Sequence, residues 1–336
     1  MATTLADLAK ELGVSMMTVS RAINNHAAIH PETRKRVLAA AKRLNYHPNH
    51  HARALLTNRS RLLGLVVPDL MHSYYAEIAK AIEAEARTAG YEVLLCNTEE
   101  DGASELREVG ALRHRTDGLI IASAVAPTQV TAYRKMLREG ARVVLIDRSL
   151  PNLRCPVVTT DNVRVGAMVT EHLIRLGHRR IGHLRGPDVS VARDRLEGYK
   201  QALAAHRLRF DERLVRACGF FEENGYDAMR AWINEGNYPA AIYAANDPAA
   251  IGALRALAEA RIKVPREVAI AGSGAIHYSD LLRIPLTTVN WDKTELGRQA
   301  ARLLIELIEA PEQKRPAPGN VIVPPELIVR QSSGRT

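Results

Sequence analysis

Nowhere in the 336 residues do apolar side chains run on for the roughly 18 positions that a membrane-crossing helix requires. The opening MATTLADLAK has neither the basic segment nor the apolar stretch of an export signal, so the chain is expected to be cytoplasmic with no membrane partner. Cysteine is scarce. Cys96, Cys155 and Cys218 stand far apart and in no CxxC pair, which argues against a disulfide framework or a zinc site and for free thiols. Phosphate-cradling loops are missing too: GLVVPDLMHSYY holds neither a Walker motif nor GxGxxG, and GSGAIH lacks the third glycine. No Ser/His/Asp or Cys/His grouping with a local signature replaces them. No enzyme activity, metal or cofactor is expected.

Carboxylates are nearly absent from residues 1–61, where ten Lys and Arg face only Asp7, Glu11 and Glu32. This stretch therefore carries +7 of the chain's +9, leaving a near-neutral body. A small basic head implies a polyanion partner, because neutralised phosphates release their counterions. The head is patterned as well as charged. TLADLAKELGVSMMTVSRAINN reads as a helix opened by Thr4 with Asp7 three positions on, apolar at Leu5, Leu8 and Leu12, and stopped at Gly13. A second helix starts at its cap, Ser15. Leu5, Ala9, Val14 and Val19 supply the seam between the two, while Ser15, Met16, Met17, Ser20 and Arg21 point outward. That is a helix-turn-helix, whose second helix enters the major groove by its N-terminal end. There the methionine thioethers can pack on thymine methyls. A third helix over 31–44 begins with Pro31 and turns Val37, Leu38, Ala41 and Leu44 to the other two. The DNA-facing set is completed by Thr4, Thr18, Asn24 and Tyr46.

From Leu62 the rhythm changes. LLGLVVP, YEVLLCN, DGLIIAS, RVVLID, VVTTD, RIGHLRG, AIYAAND and VAIAGSG read as strands and alternate with helices near 74–89, 127–139, 162–176, 192–206 and 247–260. The alternation predicts parallel, doubly wound sheets, and the number of units predicts two. Ligands in such sheets bind beyond the carboxyl ends of strands, where Asp147-Arg148, Asp161-Asn162 and Asn246-Asp247 stand. Asp161 and Asp247 fit equally well as helix caps.

Taken in order, TLADLAKELGVSMMTVSRAINN, TRKRVLAAAKRLNYHPNHHARAL, DGLIIAS, VVLIDR, RLEGYKQAL, AIYAANDPAAIGAL and LTTVNWDKTELGRQAARLLIELI resemble successive blocks of the LacI/GalR (lactose-repressor) family of bacterial transcription regulators, over nearly the whole chain. The resemblance implies an α plus α/β fold, in which an N-terminal helix-turn-helix headpiece (1–46) is joined by a hinge helix (47–61) to a two-subdomain effector domain (62–330). That domain is doubly wound and resembles a type I periplasmic binding protein. Its N-subdomain is expected at 62–161 and 290–320 and its C-subdomain at 162–289 and 321–330, with crossings near 161, 290 and 320 and a tail at 331–336.

Within the hinge the resemblance implies that Leu55 is pushed into the minor groove, with Ala52 and Arg53 on the same short helix. About ten residues without a core are too short for a stable helix, so folding awaits DNA, and the apolar wedge is offset by the bend it allows. His47 and His51 are poor metal partners because Pro48 lies between them; they read as phosphate-facing or solvated.

The resemblance also marks an effector pocket of Tyr74, Tyr75, Asp147, Arg195, Phe220 and Asn246, to which the strand-end Arg148 is added. Aromatic faces with Asp, Asn and Arg suit a polyol. The family's usual acid after the strand VAIAG is here Gly274, with His277 nearby. That departure suggests a less acidic pocket and an effector bearing its own negative charge, a sugar acid or sugar phosphate; the alternative is a neutral ligand held by His277 or Asp280. The implied protein is a sequence-specific DNA-binding regulator, in the first place a repressor. It is nucleoid-associated, acts as a homodimer on a pseudo-palindromic operator, and is controlled by a small carbohydrate-like effector. A transport-type sugar-binding protein would share the body but would need an export signal and no basic head.

Overall fold

A computed structural model describes residues 3–23, 25–46, 59–71, 73–311 and 319–334. Of the expected DNA contacts, Asn24, Ala52, Arg53 and Leu55 lie outside the described residues, as do His47, Pro48 and His51. The chain divides into two compact units, residues 1–60 and 61–336.

The first unit is three helices, α1 (Leu5–Leu12), α2 (Met16–Ile23) and α3 (Pro31–Arg43). Thr4 and Asp7 form a reciprocal capping box at the start of α1, and Gly13 ends the helix in a left-handed turn at φ 65°. Ser15 caps α2 by accepting the Thr18 N–H at 3.1 Å. Leu8, Ala9, Val19, Ala22, Val37 and Ala40 make the buried core. Leu38, expected to face the other helices, is instead 44% exposed. The 3.6-residue period puts 37, 40, 41 and 44 on one stripe and leaves 38 beside it.

The second unit holds two lobes. The first is built from β1 (Leu62–Val67), α4 (Ser73–Thr88), β2 (Glu92–Asn97), α5 (Gly102–Leu112), β3 (Gly118–Ile121), α6 (Thr131–Arg138), β4 (Val143–Ile146) and β5 (Val157–Thr160). The second follows with α7 (Asn162–Arg175), β6 (Ile181–Arg185), α8 (Ser190–Ala205), β7 (Val215–Ala217), α9 (Glu222–Asn234), β8 (Ala241–Ala244), α10 (Asp247–Glu259) and β9 (Ala269–Ala271). The chain then crosses through β10 (Thr288–Asn290), returns α11 (Lys293–Glu309) and β11 (Asn320–Val323) to the first lobe, and crosses again into β12 (Glu326–Ile328). The sheets run β11-β5-β4-β3-β1-β2 and β7-β6-β8-β9, parallel throughout, and β10 pairs antiparallel with β12 between them.

Two boundaries differ from expectation. The last crossing falls at Pro324-Pro325 rather than near 320, because β11 extends the first sheet by pairing Val321 with Val158 and Val323 with Thr160. The segment expected as a tail is docked: Ser332 Oγ donates to Ile270 O at 2.7 Å, and Ser333 Oγ meets His172 Nε2 at 2.8 Å and Thr287 Oγ1 at 2.7 Å.

His183 on β6 is fully buried, stacked between Tyr199 and Tyr243. Burial pushes its imidazole down to about 4, from an ordinary value of 6.5. The unfolded chain then binds the proton more readily, so stability present above pH 6.5 is lost as the pH falls toward 4. Urea unfolding at pH 7 and pH 4.5 should show wild type losing on the order of 2 kcal/mol more than His183→Phe. Asp247, pushed up to about 6 by burial, acts in the opposite direction but equally in both proteins. Equal losses in the two would refute the assignment.

Candidate functional site

In the first unit, the start of α2 presents Met16 and Met17 at 57% and 62% exposure. Two adjacent solvent-facing methionines on a small three-helix core are costly unless something covers them. Arg21 is exposed on the same helix. The hydroxyls of Ser15 and Thr18 bond each other at 2.9 Å, and that of Thr4 donates to Asp7 at 2.7 Å, so these three are engaged at helix starts. Ser20 is half-buried. Tyr46 packs against the core, where burial pushes its phenol up. Lys35, Arg36 and Lys42 are exposed on α3, and Arg43 pairs with Glu11. Met17→Ala is expected to change sequence preference, whereas Lys35→Ala should weaken binding to all duplexes and lower the salt slope by about one. Salt titrations on several duplexes separate the two; equal loss on every sequence for both would refute the split.

In the second unit, a cleft lies between the lobes. Tyr74, Tyr75, Asp147 and Arg148 line it from the first lobe, and Arg195, Phe220, Asn246 and Gly274 from the second. The strand-end rule explains the set: Asp147 follows β4, Asn246 follows β8 and Gly274 follows β9. Tyr74 and Tyr75 come from the first turn of α4 and donate to the two oxygens of Asp147, at 2.7 and 2.9 Å. Burial, with the Asp147 charge added, holds both phenols well above their ordinary value, so they stay protonated donors. Trp291, just after β10, donates from Nε1 to the Tyr74 oxygen at 3.1 Å.

Arg195 on α8 donates from Nε to Asn162 Oδ1 at 2.9 Å and from Nη1 to Ala245 O at 2.7 Å, and lies 5.4 Å from the Trp291 ring. Asn246 Oδ1 accepts the Ala249 N–H at 3.0 Å and its Nδ2 donates to Phe220 O at 2.8 Å, so it caps α10 and holds an aromatic wall at once. The lobes also touch across the cleft: Ser149 N–H donates to Ser190 Oγ at 2.9 Å, and Arg148 lies 5.3 Å from the Phe220 ring.

Three expectations are corrected. His277 is exposed, its ring edge-on to Tyr278 at 5.0 Å, and does not line the cleft. Its neighbour Ile276 is the buried residue and donates its N–H to Asp247 at 3.0 Å, which turns His277 outward. Asp280 is exposed as well. Asp161 caps α7, accepting the Arg164 N–H at 2.9 Å, but Asp247 does not cap; it accepts the Thr288 hydroxyl at 2.6 Å and so ties β10 to the second lobe. Finally, the cleft is not depleted of acids. Asp69 and Glu100 line it, and Glu100 grips Arg148 bidentately at 2.7 and 2.5 Å. The sequence reading missed these two acids together with Val191, Phe221, Ser273 and Trp291. Asp69 after β1 and Glu100 after β2 carried the same strand-end signal as Asp147. Among the described residues no group of three or more His, Cys, Asp or Glu could hold a metal ion, and no helix is long and apolar enough to cross a membrane.

Comparison with known proteins assigns both units. The family described as bacterial regulatory proteins, lacI family, matches residues 4–49, and a periplasmic binding protein-like domain matches residues 170–333. The HTH-type transcriptional regulator DegA of Bacillus subtilis (strain 168) is 33% identical over 336 residues, which is 99% of this chain and 98% of DegA. A lac repressor dimer bound to operator and the anti-inducer ONPF superposes with a TM-score of 0.89 at 28% identity, covering 100% of both chains. A complex of the transcriptional regulator CelR with cellobiose gives a TM-score of 0.74 at 29% identity, covering 98% of this chain and 99% of the other.

Proposed function

Since the chain belongs to the LacI family of bacterial regulatory proteins and is a transcriptional regulator rather than an enzyme, we propose that it represses transcription from the nucleoid as a cytoplasmic homodimer, binding a pseudo-palindromic operator and releasing or tightening its grip when a small sugar-like effector enters the cleft. We assign DNA reading to residues 1–46, the hinge to 47–61, and effector binding and dimerisation to the lobes that follow.

The observation that carries this reading is a cleft walled by Tyr74, Tyr75, Phe220, Phe221 and Trp291, with Arg195, Asp69 and Glu100 also on its lining. Aromatic rings take the CH faces of a sugar while charged groups take its hydroxyls in pairs. CelR with cellobiose and the lac repressor on its operator support the ligand class and the dimer.

Coupling follows from the three crossings at residues 160–162, 290–293 and 323–326. They let one lobe rotate on the other, and β1, the strand that follows residues 1–60, belongs to the first lobe. A ligand that favours one lobe arrangement changes DNA affinity, and DNA changes ligand affinity by the same factor. A thermal-shift screen of full-length protein against pentoses and hexoses, their acids and their phosphates tests the ligand class. A binder at a hundred times its Kd adds about 2.7 kcal/mol, a visible rise in Tm. No shift with any member would overturn the sugar-like effector.

A further inference from the structure

The charges on the cleft are sorted by lobe. Among the described residues, the first lobe contributes Asp69, Glu100 and Asp147 against Arg148, while Arg195 is the only charged lining residue of the second lobe. Among the described residues no acid of the second lobe lines the cleft beside it: the strand-end position there is Gly274, and Asp194, whose charge Arg195 feels from the neighbouring position, is not on the lining. The backbone at Gly274 has φ 116°, a conformation that disfavours any side chain, so an acid is not readily placed there.

Arg148 is not a second free cation. Its side chain is 2% exposed, and both terminal nitrogens are held by Glu100 at 2.5–2.7 Å. Nε is 3.9 Å from Asp147 Oδ2, so a second carboxylate lies against the same guanidinium. Glu100 is set for this by an unusual backbone: Glu99 and Glu100 are consecutive left-handed residues at φ 53° and 57°, and the Glu100 N–H is fixed to Pro68 O at 2.9 Å. Two such non-glycine residues in a row are strained, and strain of this kind is retained where the side chain it aims has a task. Among the described residues no carboxylate lies within ion-pair distance of Arg195. Its guanidinium is anchored from behind by Asn162 and Ala245.

We propose that Glu100 determines the charge of the effector: by occupying Arg148 it leaves Arg195 as the anion subsite among the described lining residues, so the cleft takes a polyol with a single carboxylate and rejects its phosphorylated counterpart. The carboxylate sits on Arg195, and the hydroxyls point toward the acids of the first lobe, which accept from them. Among the described lining residues a phosphate dianion would meet three carboxylates and, with Arg148 held by Glu100, the guanidinium of Arg195. This rests on the cleft being a sugar-like effector site.

The test is calorimetric or thermal-shift titration of full-length wild type, Glu100→Gln and Glu100→Gln/Arg148→Met with matched aldoses, aldonates or uronates, and aldose phosphates. Wild type should bind an acid at least about tenfold more tightly than the matching aldose and phosphate, a discrimination that one charge-assisted hydrogen-bond pair supplies. Glu100→Gln frees Arg148 and should improve phosphate binding by about tenfold or more, and the double variant should lose that gain. If the single variant does not fold, the wild-type ranking still decides: a phosphate or neutral sugar bound as tightly as the acid overturns the inference while leaving the sugar-like effector intact. An unchanged phosphate affinity in folded Glu100→Gln overturns it too. Failure of every compound on every protein overturns the effector reading and the inference together.

Discussion

Gly166→Ala is expected to destabilise the second unit by on the order of 3 kcal/mol or more and to abolish effector binding. A Cβ at this position would stand 2.1 Å from the backbone oxygen of Arg195, and one at Gly198 1.9 Å from that of Val163. The two glycines let α7 and α8 lie backbone against backbone, so neither side chain nor rotamer can absorb an added methyl. Relief requires α8 to lift. That breaks the Arg195 bonds to Asn162 on α7 and to Ala245 at the end of β8, the two contacts that aim the guanidinium. Urea unfolding and a ligand titration would register both losses. Gly110→Ala is the control: it faces solvent on α5 with nothing within 4 Å, and alanine there should be neutral or stabilise by about 0.5–1 kcal/mol. Similar stability for the two variants would contradict the packing described.

Arg195→Met is the second large effect expected. Methionine puts an apolar chain of similar length beside Trp291 in place of the guanidinium, and it removes the charged group that the second lobe presents on the described cleft lining together with its hydrogen bonds. Hydrogen bonds to a charged group contribute about 1.5–3 kcal/mol each, so effector affinity should fall roughly 10- to 100-fold or more. DNA binding without effector should survive, since residues 1–60 fold around a core of their own. Isothermal titration gives the first quantity and anisotropy on duplex DNA the second. An unchanged effector affinity would remove Arg195 from the site; loss of DNA binding alone would invert its role.

How far these features were legible in the sequence depended on the distance over which they were decided. Capping by Thr4 and Asp7, the stop at Gly13 and the apolar positions Leu8, Val19 and Val37 on their three helices are local, and the first unit follows from them. Strand and helix alternation likewise showed two parallel sheets. The third crossing was misplaced because β11 is an edge strand whose pairing with β5 reaches across some 160 positions, as the Thr160–Val323 bond does across 163. Half the cleft came from the family resemblance. Glu100 stood at a strand end, but its pairing with Arg148 went unseen because it spans 48 positions, and that of Trp291 with Tyr74 because it spans 217. Sheet order brings those pairs together, and no local period records it. His277 failed for the opposite reason: a single peptide N–H, that of Ile276 on Asp247, decides which of two neighbours turns inward.

Anisotropy of the full-length protein on an operator recovered by selection from a random duplex library, with and without a ligand that raises Tm, is the most direct measurement of coupling between cleft and DNA. Saturating ligand is expected to change the DNA Kd by about fivefold or more in one direction, and operator DNA to change the ligand Kd by the same factor. A ligand that fills the cleft yet leaves operator affinity unchanged would contradict that coupling.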